Sequence, residues 1–174
     1  MKKFIALCLV LAMAATLFVG CAAKKTATLE GTPAEIIEKI YAQNPVEFAP
    51  WTLTPDDPDY GSMWDWNYYT GLSDGSKVKE AAVSEPMIGS IAFSLVVLRV
   101  NEGEDAKTVA QEMKDNINTR KWMCVEAGDL QVAGFGDVVM LIMVDENFAA
   151  DGVTSQVFVD AFKTVCGADL DFTI

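Results

Sequence analysis

The stretch from residue 51 to residue 69 holds the densest group of side chains that could do chemistry. Six of the eight Trp and Tyr residues of the chain fall within these nineteen positions, namely Trp51, Tyr60, Trp64, Trp66, Tyr68 and Tyr69. Aspartates and an asparagine lie between them. Aromatic faces beside polar groups suit sugars, peptides or quaternary amines. We predict that this aromatic segment contacts a ligand or partner; the alternative is that its rings only cover one edge of a sheet.

Acidic side chains in and near the aromatic segment suggest two further kinds of chemistry. Asp56, Asp57 and Asp59 offer the oxygen atoms that Ca²⁺ prefers, but their spacing does not match an EF-hand loop. Such a cluster is more typical of a solvated turn. Asp65 and Asp74 are a conceivable pair for glycoside hydrolysis, which needs two carboxyl groups facing each other across a cleft. We predict no metal ion and no cofactor.

The composition argues against most enzyme classes and against nucleic-acid binding. The chain has no histidine, the commonest general base and metal ligand. It has neither a GxSxG nucleophile motif nor a GxxxxGK[ST] phosphate loop. The chain has 25 Asp and Glu residues but only 13 Lys and Arg residues, so it lacks the excess of positive charge that binds the phosphate backbone of a nucleic acid. We therefore predict a protein that is not an enzyme and has no nucleic-acid partner.

The N-terminus has the pattern of a bacterial lipoprotein signal. Residues 1–3 (MKK) are basic and residues 4–20 carry no charge, as in a secretory signal peptide. Residues 17–21 (LFVGC) resemble a lipobox. We expect cleavage before Cys21 and diacylation of its sulfur, with its amine open to a further acyl chain such as palmitate. Two acyl chains hold a protein stably on a bilayer, whereas a single acyl chain gives only marginal membrane binding. The alternative is a plain signal peptide with an incidental cysteine.

These signals divide the chain into three parts. Residues 1–20 form the signal peptide, residues 21–31 a lipidated tether, and residues 32–174 a single domain. The apolar fraction of 51% is too high for a disordered chain. We predict that Cys21 anchors this domain in the lipid bilayer, on the outer face of the bacterial cytoplasmic membrane.

The sulfur-containing residues of the predicted domain have separate interpretations. Cys124 and Cys166 would lie on the oxidising side of the membrane, where a disulfide can persist. Both also lie beside apolar residues, which favours buried free thiols as the default. Five methionines fall within apolar periods and are expected to fill the core: Met87, Met113, Met123, Met140 and Met143.

The periodicity of apolar residues predicts an α+β domain. A first helix begins at Thr32 and Pro33 and ends before Asn44. Strands are expected at 77–85, 90–100, 129–133 and 137–144, with helices at 106–117 and 154–166. This β-β-α-β-β-α order predicts a four-stranded, mainly antiparallel sheet covered on one face by helices. The prolines between residues 45 and 58 argue against regular structure there.

The order of several short motifs resembles a known family. The lipobox and the first helix come first, followed by Tyr69-x-Gly71-Leu72. Next come Glu85-Pro86-Met87, a β-rich strand, and a helix that ends near Arg120 and Trp122. The order closes with residues 136–144 and a final helix. The chain is similar in this order, over residues 33–166, to the small bacterial lipoproteins catalogued as domain of unknown function 4358. The resemblance implies a fold and a location but no catalytic residue.

Together these observations predict a membrane-anchored, extracytoplasmic lipoprotein whose domain binds or assists another molecule without catalysis. The contact surface would be the aromatic segment, and the partner an unknown protein or small molecule. The alternative is capture of a sugar, peptide or amine by the same rings. An enzyme that relies on carboxylates is the least favoured function.

Overall fold

The structure, a computed structural model, describes residues 28–174, which form both helices and strands. The predicted signal peptide, Cys21 and most of the tether lie outside these residues. The elements are α1 (Pro33–Gln43), β1 (Pro50–Leu53), α2 (Trp66–Thr70), β2 (Val78–Pro86), β3 (Phe93–Val100), α3 (Ala106–Asn116), β4 (Asp129–Phe135), β5 (Val138–Val144), α4 (Ser155–Cys166) and β6 (Phe172–Thr173). Short 3-10 helices lie at Gly61–Met63 and Glu146–Asp151.

The strands form one six-stranded sheet in the order β1-β2-β3-β5-β4-β6, and every neighbouring pair is antiparallel. The prediction of four strands was therefore wrong, although the α+β class fits. Both missed strands lie at the sheet edges. Strand β1 begins with Pro50, which an edge strand tolerates because its first residue need not donate to the ladder. Strand β6 has only two residues, too few to give a periodic pattern.

The helices cover both faces of the sheet, which corrects the prediction of a single covered face. Helices α1 and α4 pack on one face through residues such as Ile36 and Phe158, while α3 packs on the other through Val109 and Met113. The two central strands β3 and β5 are buried at every position. Strands whose side chains are apolar on both faces must be packed against other elements on both faces of the sheet. The continuous apolar runs of these two strands in the sequence already indicated this.

A buried arginine fixes the start of the described chain to the sheet. The Arg99 side chain is 7% exposed and its Nη1 lies 2.6 Å and 2.7 Å from the two Asp137 carboxylate oxygens. Its Nη2 donates to the backbone carbonyls of Leu29 and Gly31, at 2.7 Å and 3.0 Å. The tether therefore leaves the domain beside Arg99, near the C-terminal end of β3.

The direction of β3 defines two ends of the domain. At the end near Val100, called here the tether end, lie Thr28 and the turn between β4 and β5. At the end near Phe93, called here the far end, lie the β2–β3 connection and the long connection from α3 to β4. The strand rise of about 3.3 Å per residue puts roughly 20 Å between them.

Candidate functional site

The six aromatic side chains singled out in the sequence divide into two groups. Trp51, Trp64, Trp66 and Tyr69 are half-buried and pack against the core on the α3 face of the sheet. Tyr60 and Tyr68 are exposed, at 48% and 40% of their surface. Four of the rings therefore pack against the sheet, in line with the alternative that these rings only cover it, and two are exposed to solvent.

Helix α2 places the second half of this aromatic segment. The Asp65 carboxylate caps the helix by accepting from the Tyr68 backbone N–H at 2.9 Å. Gly71 ends it at a φ of +77°, a left-handed conformation that glycine adopts without strain. The short helix lays the Trp64 ring 5.2 Å from Trp66 and 5.3 Å from Tyr69, measured between ring centroids. Trp64 itself lies just before this helix, which begins at Trp66.

A buried lysine organises the polar side of these rings. Lys121 Nζ lies 2.5 Å from Glu85 Oε1, and the two side chains are 1% and 15% exposed. It also donates to the Tyr68 carbonyl at 3.2 Å. The ammonium lies 4.7 Å, 5.4 Å and 5.2 Å from the ring centroids of Tyr68, Tyr69 and Trp122. Burial lowers the pKa of Lys121, and the neighbouring Glu85 carboxylate opposes that shift.

The cation that these rings contact is the protein's own. Desolvated cation–π contacts are worth about 2 kcal/mol or more, and here they act between a loop residue and α2. Sequence analysis missed Lys121 because it lies far from the aromatic segment in the chain.

The exposed apolar side chains gather at the far end of the sheet. Among residues 28–174 the large hydrophobic residues that are exposed are Tyr60, Met63, Tyr68, Met87, Ile88 and Met123, and we call this set the far-end surface. A groove of about 230 Å³ joins Met63 and Met87 with Trp51, Tyr69 and the Glu85 side chain. The Met123 backbone N–H donates to the Gly89 carbonyl at 2.9 Å, which ties the two connecting loops together.

Two methionines therefore do not fill the core as expected. Met87 and Met123 are 81% and 76% exposed, whereas Met113, Met140 and Met143 are fully buried. The difference follows from their elements, because the buried three lie on α3 and β5 and the exposed two lie in connections. Apolar neighbours in the sequence did not distinguish a loop from a strand.

Two of the acidic residues singled out in the sequence, Asp57 and Asp74, stabilise local turns. One Asp57 oxygen accepts from the backbone N–H groups of Asp59 and Tyr60, at 2.9 Å and 2.8 Å, and so closes a turn. Asp74 similarly accepts from the Ser76 N–H. Over residues 28–174 no group of three or more His, Cys, Asp or Glu side chains is arranged to hold a metal ion.

Cys124 and Cys166 are both free thiols, and no disulfide joins them. Cys124 is exposed, which corrects the expectation that both thiols are buried; its φ of 63° places it in a left-handed turn. Cys166 is half-buried on the last turn of α4. Burial raises the pKa of the Cys166 thiol to about 12, with a smaller contribution from Asp171.

No family model, no curated protein and no solved structure matches this chain. The resemblance to domain of unknown function 4358 therefore stays a prediction. In the part of the chain from residue 28 onward, no helix is long and apolar enough to cross a bilayer.

Proposed function

We propose that this protein is a lipid-anchored, non-enzymatic binding domain on the outer face of a bacterial cytoplasmic membrane. Its far-end surface would contact a protein partner. The observation that carries the proposal is the clustering of exposed apolar side chains at one end of the sheet. Contiguous exposed apolar patches on soluble domains mark interaction sites.

The position of this surface relative to the tether supports a protein partner. The tether leaves beside Arg99, at the opposite end of β3 from Met87 and Met123. Seven Cα-to-Cα steps lead from Cys21 to Thr28, a reach of about 25 Å at most. An anchored domain whose tether end faces the bilayer would present the far-end surface to the space outside.

Size and charge favour a protein over a small ligand or the bilayer itself. The far-end groove, at about 230 Å³, is smaller than the roughly 300–1,000 Å³ of ordinary small-molecule sites. The chain carries a net charge of −12, which repels anionic lipid headgroups. Exposed methionines adapt to varied apolar contacts, so these side chains suit a protein face.

The surface is tested by replacing its three most exposed residues with serine, as Met87→Ser, Ile88→Ser and Met123→Ser together. Partners are fixed in intact cells with a short chemical cross-linker and compared by quantitative mass spectrometry. We expect at least a tenfold loss of the specific partner without a fall in the melting temperature, because these side chains contribute little to the core. The matched control changes three exposed residues at the tether end, Glu102, Glu104 and Lys107, to serine and should keep the partner. Equal recovery from both triple variants would remove the support for this surface.

The anchor is tested separately through Cys21. Cys21→Ser should release the protein from the membrane fraction, because its thiol is the expected site of acylation. Mass spectrometry of the membrane-bound wild-type protein should find acyl chains on residue 21. An unmodified N-terminus on that material would refute the anchor, whatever the outcome for the far-end surface.

A further inference from the structure

The floor of the far-end groove is formed by strands β1 and β2 on the α3 face of the sheet. Their register sets Trp51 opposite Glu85 and Leu53 opposite Val83. Residues directly opposite each other, and those two positions along a strand, share one face of a sheet. All four side chains line the groove, and Leu53 and Val83 are buried. Among the described residues that line it, Glu85 alone carries a charge.

The walls of this groove are aromatic and flexible. Tyr69 and the side chains of Met63 and Met87 line it, and the two methionines are 58% and 81% exposed. A cavity of about 150 Å³ already holds a benzene ring, so a groove of about 230 Å³ has room for one aromatic side chain. Methionine sulfur also makes favourable contacts with aromatic rings. The groove therefore matches a single ring in size and in lining.

The Glu85 carboxylate offers this groove a hydrogen-bond acceptor. Its Oε1 accepts from Lys121 Nζ at 2.5 Å, and no donor within residues 28–174 is hydrogen-bonded to its Oε2. Lys121 already neutralises the carboxylate, so a cation that enters the groove would be repelled by the neighbouring ammonium. A neutral N–H or O–H donor meets no such repulsion, and its hydrogen bond to an ionised acceptor is stronger than one between neutral groups.

We propose that the far-end groove receives one tryptophan or tyrosine side chain of the partner protein. The ring would pack against Trp51 and Tyr69, and its N–H or O–H would donate to Glu85 Oε2. Both residue types combine a large apolar ring with a neutral donor, and both are enriched at interface hot spots. Phenylalanine lacks the donor, and arginine brings a charge that Lys121 repels. This inference rests on the proposed function, because the ring belongs to the partner of the far-end surface.

The ring has to come from another protein. Residues 1–27 contain neither tryptophan nor tyrosine, so the start of the chain cannot supply it. The exposed rings of a second copy, Tyr60 and Tyr68, pack within their own chain, with centroids 5.1 Å from Trp51 and 4.9 Å from Tyr69. The net charge of −12 also makes two copies repel. A partner of different sequence is the remaining source.

Two matched pairs of probes test the chemistry of the groove on the purified full chain, labelled with ¹³C at its methionine methyl groups. Indole and p-cresol carry a ring and a donor, while 1-methylindole and 4-methylanisole carry the same rings with the donor methylated. In NMR titrations they should shift the Met63 and Met87 signals. Each donor probe should bind at least fivefold more tightly than its methylated counterpart, because hydrogen bonds to charged groups are strong.

Two features of this titration exclude simple adsorption to an apolar surface. Adsorption would give the reverse order of affinities, because the added methyl group increases the apolar area of the probe. Met123 is an internal control, since it is exposed on the far-end surface but does not line the groove. Its signal should stay in place.

Removing the acceptor should remove the preference for a donor. Glu85→Leu with Lys121→Met replaces the buried ion pair by apolar side chains, a change that proteins often tolerate. Indole should then bind no more tightly than 1-methylindole. The matched control, Glu126→Leu with Arg120→Met, removes the exposed pair of the same connection and should keep the preference. The wild-type titrations decide the proposal even if the first double variant does not fold.

Competition connects the groove to the partner. In membranes isolated from the cells, indole should lower the cross-linked recovery of the partner at a concentration at least fivefold below that needed with 1-methylindole. Recovery that indole leaves unchanged would overturn the proposal. So would equal or tighter binding of the methylated probes, tighter binding of n-butylguanidinium than of indole, or a second copy of this chain as the indole-sensitive adduct.

These outcomes are distinct from a failure of the proposed function. If the triple serine variant of the far-end surface loses the partner while the probes show no preference for a donor, the surface stands and the ring anchor is wrong. Equal recovery of the partner from both triple variants would instead remove the proposed function, and the partner's ring with it.

Discussion

A lysine that is 1% exposed has lost nearly all of its hydration, so its charge must be balanced by groups inside the protein. Lys121 achieves this with the Glu85 carboxylate, the Tyr68 carbonyl and three aromatic faces. These contacts join the α3–β4 connection to β2 and α2. The lysine therefore positions the exposed Tyr68 ring and the loop that carries Met123, both of which belong to the far-end surface.

Removing this charge should destabilise the fold strongly. Lys121→Met leaves the Glu85 carboxylate largely buried without its cation, and breaking such a pair typically costs about 3–5 kcal/mol in the free energy of unfolding. Lys121→Met with Glu85→Gln should be more stable than Lys121→Met alone, because neither charge remains. Urea unfolding measures all of these values.

The matched control is Arg120→Met, since Arg120 and Glu126 form an ion pair with side chains 74% and 47% exposed. Such exposed pairs contribute about 1 kcal/mol or less. If Lys121→Met is no more destabilising than Arg120→Met, the buried pair does not organise this region.

The two thiols should differ strongly in reactivity. With its pKa raised from 9.0 to about 12, Cys166 holds about a thousandfold less thiolate near pH 8 than an ordinary thiol, and the thiolate is the reactive form. Cys124 is exposed and should alkylate at least a hundredfold faster, as followed site by site with mass spectrometry. In urea the two rates should converge. Failure of both thiols to react until a reductant is added would reveal a disulfide instead.

The same shift predicts a pH dependence of stability. Because the folded-state pKa of Cys166 lies above its unfolded value, the unfolded chain loses this proton first as the pH rises. The contribution of Cys166 to the free energy of unfolding is therefore fully retained below about pH 9 and decreases as the pH rises toward 12. Cys166→Ala should flatten the decline of unfolding free energy in that interval relative to the wild type.

At the level of elements, Gly71 controls how α2 meets α3. A Cβ atom at this position would lie 2.7 Å from both the Ile117 nitrogen and the Met113 oxygen. Its φ of +77° adds a conformational penalty for any residue with a side chain. Only glycine allows the backbone of α2 to approach the end of α3 this closely.

A series of Gly→Ala variants separates these two effects. Gly71→Ala should be the most destabilising, because backbone clash adds to the roughly 1–2 kcal/mol for a left-handed alanine. Gly103→Ala, with a φ of +92° and open space around it, should show the conformational part alone. Gly89→Ala has neither problem and should leave stability nearly unchanged. Thermal unfolding measures the order, and equal effects at Gly71 and Gly103 would mean that the close approach is unimportant.

Sequence patterns predicted some elements well and others poorly, for physical reasons. Strands β3 and β5 and helices α3 and α4 have long apolar periods, so their residue ranges lay close to those found. Strand β1 is four residues long and begins with proline, and β6 has two residues. Such edge strands are defined by the neighbour they pair with, and a local pattern holds no information about that neighbour.

The candidate site shows the same limit. The aromatic residues were visible as a cluster in the sequence, but their division into four cover rings and two exposed rings depends on which face of the sheet they meet. Lys121 and Met123 come from a distant loop and could not be assigned to the cluster by spacing.

For the whole molecule, the arrangement of the two ends matters most. Arg99 and Asp137 fix the chain where the tether leaves, and the exposed apolar side chains lie about 20 Å away at the other end of β3. If the proposed lipid anchor at Cys21 holds the tether end against the bilayer, the far-end surface points outward.

Site-specific photo-cross-linking in intact cells tests this orientation most directly. A photoreactive amino acid is placed at Met87 in one protein and at Glu102 in another, one at each end of β3. We predict protein adducts from position 87 that disappear when Ile88 and Met123 are changed to serine, and lipid adducts from position 102. Lipid adducts from position 87, or the same adducts from both positions, would contradict the account.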